Sequence, residues 1–140
     1  MLPRGYGILP GGPTMPYSYV LIVDDDPAIR GLMAEALRSE GYDVDLAAHG
    51  AEALDAMRAR RPATVLLDLM MPVMDGFTFM EHCHREQLCD GVPILVISAV
   101  QDALNRVAEL PVHATIAKPF DLDELVRLVG HYARPSKNGR

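Results

Sequence analysis

The stretch that decides the reading runs Val65-Leu66-Leu67-Asp68-Leu69-Met70-Met71-Pro72-Val73-Met74-Asp75-Gly76. A short branched apolar run bounded by polar, Pro and Gly signals reads as a buried strand. This one ends on a carboxylate, and a proline and an Asp-Gly turn follow. A charged group at the carboxyl end of a buried strand lies at the rim of a sheet, where open α/β folds place their sites. Asp68 could equally do no more than end a strand, so the neighbouring segments decide.

Working outward, strands and helices alternate. Tyr19 to Val23 is a buried strand that runs into Asp24-Asp25-Asp26. Asp26 before Pro27 is a helix start, and Ile29, Leu32, Met33, Ala36 and Leu37 make one apolar stripe before Gly41. Val44 and Leu46, alternating with Asp43 and Asp45, suggest a strand with one wetter face. Helices are expected over Ala51–Arg60, after Asp75-Gly76, over Asp102–Leu110 and after Asp121. Pro93–Ala99 and Thr115–Ala117 are the remaining strands. Five strands alternating with five helices predict an α/β fold, a doubly wound parallel sheet with helices on both faces. A five-stranded chain suits the flavodoxin-like order 2-1-3-4-5. That order brings Asp24, Asp25 and Asp68 together and adds Ser98 and Lys118 to the same rim.

Composition limits the function. A length of 140 residues suits one domain, and a formal net charge of −6 argues against direct nucleic-acid binding, which needs a basic face. No run is apolar for long enough to span a membrane, and no signal peptide is visible. Two cysteines make no disulfide framework, so a cytoplasmic setting is expected. Residues 1–18 read as a disordered Pro/Gly-rich leader, 19–133 as the folded domain and 134–140 as a flexible tail with no output domain beyond it.

The rim has a legible chemistry. Crowded carboxylates repel, and an all-oxygen donor set selects a hard cation such as Mg2+. A carboxylate can act as a nucleophile toward phosphorus, with Lys118 and Ser98 as donors to the phosphoryl oxygens.

Val23-Asp24-Asp25-Asp26-Pro27, Asp68 to Gly76, Ser98-Ala99 and Lys118-Pro119-Phe120 together resemble a response-regulator receiver domain of two-component signalling, over about residues 18–133. The resemblance implies that Asp68 accepts a phosphoryl group from a histidine kinase or histidine phosphotransfer protein. It implies Asp25 as a direct Mg2+ ligand, Asp24 acting through water, and the backbone carbonyl of Met70 completing the shell. Lys118, before a cis proline, contacts the phosphoryl group, and Ser98 is the switch hydroxyl. Such a domain catalyses its own phosphorylation and hydrolysis without being an enzyme in the usual sense. It signals to a downstream protein that the sequence does not identify, and a homodimer is left open.

The chain departs from the pattern at Thr115, where the family usually has an aromatic switch residue. The segment from Ser98 to Lys118 is short. Met70 and Val100 occupy the positions that tune dephosphorylation, and neither can orient a water, so slow autodephosphorylation is expected. A pseudo-receiver that keeps the fold without the switch is the alternative, disfavoured by the intact Asp24, Asp25, Asp68, Ser98 and Lys118. An aspartyl hydrolase would need a cap that this chain lacks. Among the remaining residues, Cys83 is expected in the core rather than in a His82-Cys83-His84 metal site. His49-Gly50 reads as a turn, His113 and His131 have no evident partners, and Arg58, Arg60 and Arg61 read as a solvated helix end.

Overall fold

The computed structural model describes residues 19–99 and 111–135. The leader, the expected helix over Asp102–Leu110, Val100 and residues 136–140 lie outside the described residues. The elements run β1 (Tyr19–Val23), α1 (Pro27–Ser39), β2 (Asp43–Ala47), α2 (Gly50–Ala59), β3 (Thr64–Leu67), α3 (Gly76–Arg85), β4 (Ile94–Ser98), β5 (Ala114–Ala117) and α4 (Leu122–Gly130). The strands form one five-stranded sheet in the order β2-β1-β3-β4-β5, and every pairing is parallel. This is the flavodoxin-like order expected from the alternation.

The central strands are buried on both faces, which is why β1 and β3 read as continuous apolar runs. Alternate residues go to opposite cores. Leu21, Val23, Val65, Leu67 and Val96 pack with Leu54 and Met57 of α2 and Phe79 and Met80 of α3. Val20, Ile22, Leu66, Leu95 and Ile97 pack with Met33 and Leu37 of α1 and Leu125 and Val129 of α4. No helix among the described residues is long and apolar enough to cross a membrane.

Caps fix the helix starts. The Asp26 carboxylate accepts from the N–H groups of Ala28 and Ile29 at 2.9 and 3.2 Å. Asp75 accepts from Thr78 at 2.8 Å, and Asp121 from Asp123 at 2.9 Å. His49 does more than turn the chain, since it is the N-cap of α2 and its Nδ1 accepts from the Glu52 N–H at 3.4 Å.

Other local expectations are corrected by tertiary contacts. Leu32 is 53% exposed, and Ala34 is buried in its place. The inward arc of α1 is centred on Met33 and Leu37, and at 100° per residue Leu32 falls on its far side. Leu46 is half-exposed because β2 lies at the edge of the sheet, with β1 as its one neighbour among the described strands. The arginines are not merely solvated. Arg58 bridges Glu86 at 2.6 Å and Asp55 at 3.0 Å, Arg60 stacks 3.9 Å over the Tyr19 ring, and Arg61 donates to the Asp90 carbonyl. His113 does have partners. Its Nδ1 accepts from the Ile94 N–H at 3.2 Å, and its ring meets Tyr132 edge-on at 5.9 Å. Apart from the i,i+3 pair of Arg58 with Asp55, these contacts join residues distant in sequence, which no local pattern reveals.

Gly76 shows how tightly the loop after β3 is held. A Cβ there would stand 2.7 Å from the Asp68 carbonyl oxygen and 2.8 Å from the Leu69 Cα, both backbone atoms that cannot step aside. Gly31, inside α1, would meet nothing within 4 Å. Gly76→Ala is therefore expected to destabilise the fold by about 1–3 kcal/mol. Gly31→Ala should stabilise it by about 0.5–1 kcal/mol through helix propensity. Urea unfolding of the two variants beside the parent chain measures both.

Candidate functional site

The site grows from the carboxyl ends of β1 and β3, which are neighbours across the point where the strand order reverses. The ladders of β1 continue one residue beyond the strands on both sides, with the Asp68 N–H donating to the Val23 carbonyl at 2.9 Å across to β3 and the Asp24 N–H to the Ala47 carbonyl of β2 at 3.1 Å. Two carboxylates are thereby fixed side by side. Asp24 is 1% exposed and Asp68 6%, while Asp25 stands in solvent. One carboxylate oxygen from each of Asp24, Asp25 and Asp68 falls within 4.8 Å of the others.

The turn after β1 holds Asp24 in place. Its Oδ1 accepts from the Asp26 N–H at 2.9 Å, and its backbone carbonyl accepts from Arg30 at 2.7 Å. Asp26 caps α1 at the same time, so one turn both starts a helix and aims a carboxylate. The Arg30 contact had no signal in the sequence beyond its place one and a half turns downstream. On the other side, the Lys118 N–H donates to the Ser98 carbonyl at 3.0 Å, and the Lys118-Pro119 peptide is cis. The Lys118 ammonium lies 2.7 Å from Asp24 Oδ2 and 3.6 Å from Asp68 Oδ2. Ser98 is fully buried at the end of β4.

Charge is out of balance here. Burial pushes the Asp68 carboxyl up to about 6, against the pull of Lys118; Asp24 and Asp25 push it further, and a hydrogen bond from the Met70 N–H opposes them. For Lys118, burial pulls the ammonium down, but the hydrogen bond to Asp24 and the charge of Asp68 prevail and its affinity for the proton is raised. One ammonium faces three carboxylates. The donor set is all oxygen, clustered and under-neutralised, which fits a hard divalent cation such as Mg2+. Of the two buried carboxylates, Asp68 is the one that Lys118 holds less closely.

The structure thus gathers Asp24, Asp25, Asp68 and Lys118, with Ser98 at the end of the adjoining strand. Thr115 is not gathered. It pairs with Val96 in β5, two residues short of the rim, and its side chain is exposed. Met70 is 48% exposed beside the site, and Val73, 81% exposed, has a φ of 68° that a β-branched residue rarely adopts. Among the described residues the acidic cluster is the only close group of three or more metal-ligating side chains, and Cys83 is in the core, as expected.

Comparison with known proteins agrees with this geometry. The family model described as the response regulator receiver domain matches residues 20–130. "Response regulator MprA" of Mycobacterium sp. (strain KMS) is 43% identical over 110 residues, covering 76% of this chain and 46% of that protein. The same-named protein of Mycobacterium avium (strain 104) is 40% identical over 121 residues, covering 84% and 52%. The chain therefore spans about half the length of the curated relatives it matches. Among solved structures, the chemotaxis response regulator CheY4 of Vibrio cholerae superposes with a TM-score of 0.76 at 28% identity, covering 84% of this chain and 99% of that one. The response regulator TrrA from Thermotoga maritima, solved in complex with Mg(2+)-BeF, gives a TM-score of 0.73 at 29% identity, covering 82% and 98%. The match over residues 20–130 takes in every strand and helix from Val20 to Gly130, and on that ground the chain belongs to the response regulator receiver domain family.

Proposed function

We propose that this receiver domain takes a phosphoryl group onto Asp68 from a phosphohistidine of a partner kinase or phosphotransfer protein, and signals by changing its protein contacts. The observation that carries this is the cluster itself: a buried carboxylate flanked by two others and one lysine at the switch point of the sheet. In the transfer an Asp68 oxygen forms the new bond to phosphorus. The bond from phosphorus to the histidine nitrogen breaks, and its electron pair stays with the imidazole. Lys118 moves little to meet the incoming phosphoryl oxygens, since it already stands 3.6 Å from Asp68. Ser98 supplies a hydroxyl donor from β4. Asp24, Asp25, Asp68 and the Met70 carbonyl are the residues that would hold Mg2+, which neutralises phosphoryl oxygens when bound.

The exposed side chain at Thr115 favours a switch that does not depend on an inward-swinging aromatic. A chain that keeps the fold without the chemistry is the competing reading, and intact mass separates the two. With Mg2+ and acetyl phosphate the protein should gain one phosphoryl group. That gain should vanish in Asp68→Asn and on removal of Mg2+. Failure to gain it, with beryllofluoride also failing to bind, would favour the pseudo-receiver.

Hydrolysis needs a water oriented toward phosphorus, and the apolar side chain of Met70 cannot orient one. Met70→Glu should shorten the half-life of the phosphorylated form several-fold, as followed by loss of the added mass. An unchanged half-life would remove Met70 from that role.

The raised affinity of Asp68 for its proton is also a statement about stability. In the folded state the group titrates near 6, and in the unfolded chain near the ordinary value of about 3.9. Between those values the folded state binds more protons, so stability falls as pH rises. Without Mg2+ at pH 7, Asp68→Asn should therefore be more stable than the parent by about 1–2 kcal/mol. The difference should close toward pH 4 and shrink when Mg2+ is added, as read by thermal melts.

A further inference from the structure

The far end of α3 carries a second chemical feature. Cys83, in the last turn, is 1% exposed, and its Sγ lies 3.6 Å from Met57 Sδ. The helix then closes with a left-handed residue, Gln87 at φ 61°. The Gln87 N–H donates to the His84 carbonyl, and the Leu88 N–H to the Cys83 carbonyl at 2.9 Å. This C-terminal cap folds the chain back over its own last turn. It brings Cys89, half-buried and one residue beyond the Leu88 N–H that reaches the Cys83 carbonyl, against the same apolar cluster that holds Cys83. The Cys89 Sγ lies 3.8 Å from Nδ1 of the exposed His84. Both cysteines are free thiols.

We propose that Cys83 and Cys89 are a reversible dithiol–disulfide pair, with Cys89 as the accessible attacking thiol, Cys83 as the resolving thiol behind it, and a low-molecular-weight disulfide of the glutathione class as oxidant. Cys89 is the group that solvent reaches, and with its proton on Nε2 the His84 ring presents Nδ1 as an acceptor for the Cys89 proton. Burial, with Cys89 alongside, pushes the Cys83 thiol well up, so Cys83 does not react first. The Cys89 thiolate attacks one sulfur of the small disulfide. That S–S bond breaks, a mixed disulfide forms on Cys89, and one glutathione leaves, taking up the proton Cys89 gave. Cys83 then loses its proton and attacks the Cys89 Sγ, forming the protein disulfide and expelling the second glutathione as a thiol. Two protein thiols are oxidised by two electrons, and one small disulfide is reduced to two thiols. The product staples the last turn of α3 to the segment that leads into β4. The pair sits at the end of α3 remote from Asp68 and does not rest on its phosphorylation.

The test exposes the folded, reduced full chain to oxidised glutathione and maps tryptic peptides without reduction. Trypsin cuts after Arg85, between the two cysteines, so the disulfide joins the peptide ending at Arg85 to the one beginning at Glu86. The parent protein and Asp68→Asn should both give that linked pair, lost on adding reduced thiol. Cys83→Ala should stop at glutathione on Cys89, and Cys89→Ser should stay unmodified. Cys83→Ser serves in place of the alanine variant if that variant fails to fold. A parent protein that stops at the mixed disulfide as Cys83→Ala does, or that links two chains through Cys89, overturns the proposal, as does modification of Cys89→Ser at the parent's rate.

Discussion

The repulsion among Asp24, Asp25 and Asp68 is the constraint around which this chain is built. One oxygen from each of the three carboxylates lies within 4.8 Å of the others, and Lys118 supplies one positive charge among them. Everything that fixes those side chains therefore works against a cost. The backbone ladder from β1 to β3, the cap at Asp26 and the Arg30 contact to the Asp24 carbonyl hold the acids where they would not gather unaided. Two apolar cores, one on each face, provide the stability that makes this tolerable. The fold carries a crowded acidic cluster balanced by one lysine, the kind of donor set whose repulsion a hard cation relieves.

Much of this was legible because the signals are local. Continuous apolar runs ending in Asp24 and Asp68 mark doubly buried strands and their rims, and Asp26-Pro27 marks a helix start within two residues. Alternation of the elements then allows few sheet orders, and the reversal point follows from the order. The rest needed three dimensions. Leu32 looked inward because spacing gives a period but not the phase of a helix against its sheet. His113 and Arg58 found partners through strand order and helix packing, across 19 residues to Ile94 and 28 to Glu86. Within the site, sequence placed Lys118 at the rim but could not say that its ammonium lies closer to Asp24 than to Asp68.

Thr115 illustrates a different limit. Its departure from the family pattern was visible at once, yet its consequence depends on what the side chain faces. The structure puts it on the exposed side of β5, paired with Val96 and outside the acidic cluster. A small hydroxyl there has little buried surface to exchange.

The division of the interior into two cores has a thermodynamic corollary. The cluster beneath α2 and α3 and the cluster beneath α1 and α4 share no side chain, although both are built on the same strands. Among the described residues, substitutions on opposite faces meet through the backbone of the shared strands. Their energetic effects should be close to additive, whereas neighbours within one core should couple. The rim is the exception, since its residues sit at the ends of strands common to both faces. Along the strand interiors, the sheet separates its two sides, and they come together at the rim that bears the acidic cluster.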